Sequence, residues 1–269
     1  MRSAAVNGTT LAYVDEGPRE GTPIVFSHSL FFDHSMFDGH LARFRREGFR
    51  VIAYDHRNQG GSAPAVRGEL DMDTLTEDAA ALIEHLGLGK CHFVGNSLGG
   101  FIALRLAARR PDLLLSVTTL GASAEEEHQL AQFAPLADHL TAHGAEQVVD
   151  TLMHIMFGDT SLATRSELCA PWREFMARLG PTIGDSAYGV IHRSRMVEEL
   201  AGCQVPVLAI AGSEDHAYPQ PISGVNIAAA TGGTEVTVEG AGHSVAVEQT
   251  DVVAEHLARH FAESSVSLS

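Results

Sequence analysis

The chain has 269 residues, of which 45% are hydrophobic and 19% charged, a size and composition typical of one large folded domain and not of a disordered segment. Its 34 acidic and 18 basic residues give a formal net charge of -16, which repels phosphate backbones and anionic membrane surfaces and so argues against nucleic acid as a partner. The three cysteines, Cys91, Cys169 and Cys203, form no C-x-x-C pair, so neither a zinc site nor a disulfide framework is predicted.

Eight short runs rich in β-branched and aromatic residues predict β-strands. The first two flank Asn7-Gly8, a strong two-residue hairpin signal, and are expected to pair antiparallel. Most of the later runs are continuously apolar, which is typical of parallel strands covered on both faces. The predicted strands are 4–6, 9–14, 23–26, 50–54, 91–94, 116–120, 207–210 and 234–238.

Helical patterns separate these strands, at 36–47, 74–86, 98–110 and 251–263. In the second helix, Thr74 and Glu77 have the spacing of a capping box. From 124 to 201 the strand pattern stops and the sequence is helical throughout. We therefore predict an α/β fold: a mostly parallel twisted sheet with helices on both faces forms a core (1–123 and 202–269), and a helical lid (124–201) is inserted in it.

No segment of the sequence has the pattern of an export signal or a membrane span. The first eight residues contain no apolar stretch of signal-peptide length, and no 18-residue run is apolar and uncharged. We therefore expect a cytoplasmic protein that binds neither membranes nor nucleic acid.

Gly95-Asn96-Ser97-Leu98-Gly99 has the G-x-S-x-G pattern, in which a serine stands on a tight turn between a strand and a helix. The apolar run before it and the helical pattern after it supply that setting, so Ser97 is the predicted nucleophile. A serine hydroxyl needs a general base and an orienting carboxylate. Two loops that follow predicted strands offer them, with Asp215 after 207–210 and His243 after 234–238.

These motifs resemble the α/β-hydrolase superfamily, whose triads have the chain order serine, acid, histidine. Gly242-His243-Ser244 with Glu248 is similar to the C-terminal signature of that superfamily, and residues 55–62 are similar to its D-x-R-G-x-G-x-S turn. Glu214 is a rival acid, but Asp215 is favoured because 215–219 resembles a D-x-x-x-P loop of the superfamily. Asp55 and Arg57 are expected to hold their own loop.

Residues 27–37 resemble the 3-oxoadipate enol-lactonase branch, in which S-L-G-T-D leads into S-M-W. The resemblance implies that the backbone N–H groups of Leu30 and Leu98 form an oxyanion hole. Phe31 and Phe32 stand where that branch has Gly-Thr. We expect one or both rings to line the pocket and favour an apolar acyl or ring group over a small dianionic lactone, or else to brace the loop from the core. Trp172 is a further candidate for the pocket wall.

The expected activity is that of a cofactor-independent serine hydrolase, which cleaves a small or medium carboxylic ester or lactone through an acyl-enzyme on Ser97. This activity needs no cofactor. A metal site is not expected either, because His28, His34 and His40 recur every six residues and do not share one helical face. The alternatives are a carbon–carbon bond hydrolase or perhydrolase with the same triad, or a non-catalytic ligand-binding receptor. A homodimer is compatible with the sequence, which does not determine the oligomeric state.

Overall fold

The computed structural model describes residues 1–266 and places all eight predicted strands in one sheet. The strands are β1 Arg2–Val6, β2 Thr9–Glu16, β3 Pro23–Ser27, β4 Arg50–Tyr54, β5 Cys91–Asn96, β6 Leu114–Leu120, β7 Val207–Gly212 and β8 Thr234–Val238. Their order across the sheet is β1-β2-β4-β3-β5-β6-β7-β8. β2 runs antiparallel to β1 and β4, whereas every pair from β4 to β8 is parallel. The prediction of a mostly parallel sheet is confirmed.

Helices connect the strands, and the four predicted helices are α1, α2, α3 and α12. The α-helices found within residues 1–266 are α1 Asp38–Arg46, α2 Met72–His85, α3 Leu98–Arg109, α4 Leu130–His143, α5 Val149–Met156, α6 Asp159–Thr164, α7 Ser166–Ala177, α8 Thr182–Ile191, α9 Val197–Leu200, α10 Val225–Thr231, α11 Val245–Glu248 and α12 Thr250–Val266. Within residues 1–266, no helix combines the length and hydropathy needed to cross a membrane.

The start of α2 differs from the predicted capping box. The helix begins at Met72, and Asp71 is its cap: the Asp71 carboxylate accepts the N–H of Thr74 at 2.8 Å. The Thr74 hydroxyl also donates to this carboxylate, at 2.8 Å. Thr74 therefore lies in the first turn of a helix whose cap stands three residues before the predicted one, and its own N–H is the group that Asp71 satisfies.

An aromatic core holds α1 and α12 against one face of the sheet. Phe44 of α1 lies 6.5 Å from Phe26 of β3 and 5.4 Å from Phe261 of α12, measured between ring centroids. The ring of Phe261 in turn stacks on His92 of β5 at 4.2 Å. Because α2 and α3 cover the other face, the central strands are buried on both sides, and their apolar runs carry no solvent-facing alternation.

The segment between β6 and β7 folds as helices α4 to α9. Several backbone groups of this lid are bonded to the core: among them, Thr182 O accepts from Asn58 at 2.9 Å, Met156 O accepts from the N–H of Ser244 at 2.9 Å, and Gly158 N donates to Glu248 at 2.8 Å. The lid therefore stands above the end of the sheet at which Ser97 and His243 lie. The domain limits at 124 and 201 remain a prediction.

Candidate active site

Ser97 occupies the sharp turn between β5 and α3. Its backbone has φ 51° and ψ −110°, a left-handed conformation that costs free energy for a residue other than glycine. The turn is compact: a Cβ on Gly95 would clash with the backbone of Gly99, and one on Gly99 would clash with the backbone of Ser27. Glycines are therefore required on both sides of the serine, which is the physical content of the G-x-S-x-G pattern.

The structure brings Ser97, His243 and Asp215 together at the carboxyl end of the sheet. Nε2 of His243 lies 2.7 Å from Oγ of Ser97, and Nδ1 of His243 lies 3.0 Å from Oδ2 of Asp215. Oδ1 of Asp215 also accepts the N–H groups of Ala217 at 2.8 Å and Tyr218 at 2.9 Å. These bonds orient the carboxylate of Asp215 on one nitrogen of the imidazole, so that the second nitrogen faces the serine.

The rival carboxylate of Glu214 points elsewhere. It accepts the backbone N–H of Thr160 at 2.7 Å and the hydroxyl of the same residue at 2.6 Å. Because Thr160 belongs to α6, Glu214 ties the lid to the loop after β7. Of the two adjacent acids, the structure places Asp215 on the imidazole.

Two buried side chains that the sequence did not single out for this role hold the loop of His243. The amide of Asn96 donates to the carbonyl of His243 at 3.0 Å. The carboxylate of Glu248 accepts the N–H of Gly242 at 2.9 Å and that of Gly158 at 2.8 Å, and burial raises the pKa of this carboxyl. Asn96 occupies the x of the G-x-S-x-G motif, so the pattern itself could have drawn attention to it.

The loop that carries Leu30 makes an unusual turn. The N–H of Phe32 donates to Ser29 O at 3.2 Å, and Phe31 has φ 72°, the position at which a type II turn favours glycine. A bulky residue with positive φ is strained, and such strain is concentrated at functional sites. The turn places Leu30 beside Ser97 on the wall of one cavity, while Leu98 opens α3, where N–H groups have no acceptor within the helix.

Asp55, Arg57 and Asn58, from the segment that resembles the D-x-R-G-x-G-x-S turn, bond to other parts of the protein. Asp55 accepts the N–H and the Nδ1 of His34, both at 2.8 Å; burial opposes its ionisation, but these bonds and one from Gly61 hold its pKa at about 2. Arg57 pairs with a buried aspartate of α2 instead of facing the cavity. Asn58 has φ 69°, the left-handed backbone that asparagine tolerates in place of glycine. Asp55 and Arg57 therefore bond within the protein and do not line the cavity, which fits the structural role expected for these two residues.

The cavity above Ser97 is narrow and apolar, with a volume of about 60 Å³. Helices α4, α5 and α8 of the lid supply most of its wall through Leu, Ile, Val, Ala, Met and Phe side chains, and the core supplies Leu30, Phe31 and Tyr218. None of the lining residues, all of which belong to the described part of the chain, is Lys or Arg. The site therefore offers a small, largely apolar space that suits an uncharged group.

Of the three aromatic residues expected at the pocket, the structure places Phe31 on the cavity wall but not Phe32 or Trp172. The rings of Phe32 and Trp172 lie 4.6 Å apart, and Phe32 also packs on Phe157 at 6.1 Å. One of the two phenylalanine rings therefore lines the cavity, which is one of the arrangements expected from the sequence. Phe32 and Trp172 pack between the loop and the lid, and a contact of either ring with substrate stays a prediction.

A buried ion pair behind the cavity was also missed. Nη1 of Arg193 lies 2.9 Å from Oε2 of Glu127, and the hydroxyl of Tyr218 donates to the same oxygen at 2.5 Å. Burial opposes the charge on Glu127, but Arg193 and Tyr218 outweigh this effect and hold its pKa below the usual value. The ring of Tyr218 stands 5.3 Å from that of His243, so this cluster fixes one side of the site.

Comparison with known proteins identifies similar hydrolytic enzymes. A bifunctional esterase/perhydrolase of Acinetobacter calcoaceticus is 29% identical over 236 residues, which cover 81% of this chain and 83% of that protein. The 3-oxoadipate enol-lactonase 1 of Acinetobacter baylyi is 29% identical over 211 residues, 77% of each chain. Among solved structures, the enol-lactonase of Burkholderia xenovorans superposes with a TM-score of 0.88 at 26% identity, covering 97% of this chain and 100% of that one.

The sequence model of the α/β-hydrolase fold family matches residues 22–250 of the chain. The matched segment contains the turn of Ser97, both loops that carry Asp215 and His243, and the whole lid. This protein therefore belongs to the α/β-hydrolase fold family.

Proposed function

We propose that the protein is a cofactor-independent serine hydrolase that cleaves carboxylic esters or lactones with a small apolar acyl group through an acyl-enzyme on Ser97. One observation carries this proposal: Oγ of Ser97 and Nε2 of His243 are 2.7 Å apart at the wall of an apolar cavity, with Asp215 on the opposite nitrogen of the imidazole. This is the arrangement by which a serine hydroxyl becomes a nucleophile at neutral pH.

In the first half of the reaction, Oγ of Ser97 attacks the substrate carbonyl carbon while Nε2 of His243 takes the hydroxyl proton. Asp215 keeps the imidazole in the tautomer with its proton on Nδ1 and stabilises the imidazolium. The imidazolium then donates its proton to the leaving alkoxide, and the carbon–oxygen bond to the alcohol breaks. In the second half, water attacks the carbonyl carbon of the acyl-enzyme while His243 takes a proton from it. The bond to Oγ then breaks, the carboxylic acid leaves, and the imidazolium returns its proton to Ser97.

The negative charge on the carbonyl oxygen needs donors at the place where it develops. We assign this role to the N–H groups of Leu98 and Leu30. Leu98 is the first residue of α3, so its N–H also lies at the positive end of the helix dipole. Removing one such donor in comparable sites costs about 2.7 to 4 kcal/mol, which shows how much the transition state depends on this contact.

The charge and size of the cavity support the substrate class. A carboxylate on the substrate would find no Lys or Arg among the lining residues, and the net charge of -16 repels anions approaching from solvent. The volume of about 60 Å³ fits a few heavy atoms. We therefore favour a short aliphatic acyl group over the carboxylate-bearing lactone that the name of one relative implies.

Perhydrolysis is a second candidate, supported by the esterase/perhydrolase relative at 29% identity. Here hydrogen peroxide replaces water as the attacking group on the acyl-enzyme, so that the products are a peracid and the free serine. The first half-reaction is unchanged. The two activities therefore share the acyl-enzyme and differ in which nucleophile accepts the acyl group.

The deciding experiment is rapid mixing of the purified protein with p-nitrophenyl esters of increasing acyl length. A burst of p-nitrophenol equal to the enzyme concentration, followed by a slower steady state, is expected when deacylation limits turnover, and mass spectrometry should place the acyl group on Ser97. Added hydrogen peroxide measures the second candidate through peracid formation. Binding of the esters without release of alcohol would contradict the proposal and support a ligand-binding role.

A further inference from the structure

Three side chains from separate segments meet at the seam between lid and core. His154 lies near the end of α5, Asp159 is the first residue of α6, and His216 follows Asp215 in the loop after β7. One ring nitrogen of each histidine and one carboxylate oxygen of Asp159 all lie within 4.8 Å of one another. None of the three takes part in the proposed reaction.

The backbone on both sides of this cluster is fixed by hydrogen bonds across the seam. Met156 O accepts from the N–H of Ser244, Gly158 N donates to Glu248, and Thr160 N donates to Glu214. The three bonded residues of the lid are every second residue of the chain from the end of α5 to the start of α6. His154 and Asp159 flank the link between these helices, so their backbone positions relative to the loop of His216 are fixed, while their exposed side chains stay free to adjust.

The spacing of the cluster fits a tetrahedral metal ion. Nε2 of His216 lies 3.0 Å from Oδ1 of Asp159, and two ligands at zinc-bond lengths of about 2.0 to 2.1 Å stand roughly 3.3 Å apart in a tetrahedron. The imidazole of His154 stacks on that of His216 with centroids 4.2 Å apart; His154 is exposed and His216 is partly exposed. Binding of one metal ion requires the exposed side chains of His154 and Asp159 to rotate, so that ligand atoms now within 4.8 Å of one another converge on it.

We propose that His154, Asp159 and His216 bind a divalent transition metal of the zinc type, with water as the fourth ligand. Two imidazoles and one carboxylate suit Zn²⁺, whereas Mg²⁺ and Ca²⁺ prefer oxygen ligands throughout. When the metal takes Nε2 of His216, the neutral ring keeps its proton on Nδ1. The net charge of -16 attracts cations to the surface.

The bound metal fastens the lid to the loop of the catalytic acid. It joins α5 and α6 to His216, whose following residues, Ala217 and Tyr218, hold the carboxylate of Asp215. The site contacts no reacting atom, so its role is to stabilise the closed arrangement of lid and core. Its ligands, at 154, 159 and 216, belong to separate segments of the chain, so no short sequence motif predicted the site.

Calorimetric titration of the metal-free protein with zinc chloride tests the site without any substrate, so the outcome is independent of the proposed function. The wild type should bind one Zn²⁺ per chain at this site, and His154→Ala and His216→Ala should each weaken that binding by more than about tenfold. His143→Ala is the matched control. His139 and His143 form a second histidine pair on α4, with ring centroids 4.9 Å apart, and this variant should keep the wild-type affinity.

Thermal unfolding supplies a second readout, because a ligand that binds the folded state raises the melting temperature. Saturating Zn²⁺ should raise the melting temperature of the wild type and of His143→Ala, but not that of His216→Ala. X-ray absorption at the zinc edge should show nitrogen and oxygen ligands without sulfur. The proposal fails if Zn²⁺ leaves the wild-type melting temperature unchanged, or if His143→Ala abolishes binding while His216→Ala preserves it.

Discussion

Oδ2 of Asp215 lies 3.0 Å from Nδ1 of His243, while the carboxylate of the preceding residue, Glu214, is turned away from the imidazole and bonded to Thr160. Two adjacent acids on one loop thus have different partners. The direction is set by the backbone, because the N–H groups of Ala217 and Tyr218 capture Oδ1 of Asp215 and leave Oδ2 toward His243. This division of roles can be tested by two substitutions of the same chemical kind.

Asp215→Asn should lower kcat by about four orders of magnitude, because an amide in this place favours the wrong tautomer of His243. Glu214→Gln should lower it by less than about tenfold, since the amide still accepts from Thr160. Steady-state kinetics with one activated ester measures both variants. A larger loss in Glu214→Gln than in Asp215→Asn would show that the assignment of the acid is wrong.

Ser97→Ala should lower kcat by about six orders of magnitude, because the hydroxyl is the atom that forms the acyl bond. Alanine at a position with φ 51° keeps the strain of the turn, so the circular dichroism spectrum and melting temperature should stay close to those of the wild type. The measurement is kcat for ester hydrolysis by a Ser97→Ala preparation that contains no wild-type enzyme. Ester hydrolysis at the wild-type rate in Ser97→Ala would remove Ser97 from the mechanism.

Local patterns predicted most of the fold, because each strand and each main helix contains its own period and its own boundary residues. They also predicted the residues that meet at Ser97, since each follows a parallel strand and parallel strands end at one edge of the sheet. Contacts between distant segments were not predictable in this way. Glu248 binds Gly158 of the lid, and Arg193 pairs with Glu127. In both pairs the partners are far apart in the sequence, and no local sequence pattern relates one to the other.

The buried pair of Arg193 and Glu127 provides a stability prediction with an internal control. Glu127→Gln leaves the Arg193 charge buried without its counter-charge, and breaking a buried pair in this way costs about 3 to 5 kcal/mol. Glu125→Gln removes an exposed pair with Arg195 and should cost no more than about 1 kcal/mol. Urea unfolding gives both values. Equal free energies of unfolding in the two variants would contradict the importance given to burial.

His40 makes stability depend on pH in a defined window. It is fully buried between aromatic rings, its two ring nitrogens have no hydrogen-bond partner, and burial lowers its pKa from 6.5 to about 4. Between these values the unfolded chain binds more protons at this site than the folded chain. The contribution of His40 is therefore full above pH 6.5 and is lost as the pH falls toward 4.

His40→Leu removes this term while keeping an apolar side chain in the core. Each unit of pKa shift corresponds to about 1.4 kcal/mol, so the free energy of unfolding of the variant should fall by about 2 kcal/mol less than that of the wild type between pH 6.5 and 4.5. Urea unfolding at several pH values measures the difference. Parallel pH curves for the two proteins would show that His40 does not titrate in this way.

Phe31 and Phe32 are neighbours with opposite surroundings, and this difference tests the substrate class. The ring of Phe31 lines the cavity beside Ser97, whereas the ring of Phe32 packs on Trp172. Phe31→Gly removes the ring, and glycine adopts φ 72° without strain. The variant protein therefore gains stability from the relieved backbone strain and loses stability from the missing buried ring. Because these two effects oppose each other, stability is a poor readout for this variant, and substrate selectivity is the better one.

Phe31→Gly should enlarge the cavity and shift the preferred acyl chain to longer esters. The ratio of kcat/KM for a hexanoyl ester to that for an acetyl ester should rise by about tenfold or more, the 1 to 3 kcal/mol expected when the apolar wall of a pocket changes. Phe32→Leu is the control: it should lower the melting temperature and leave this ratio unchanged, since its ring lies behind the wall. If both variants lose activity equally toward every ester, the ring of Phe31 has only a structural role. The proposed preference for a short apolar acyl group would then be unsupported.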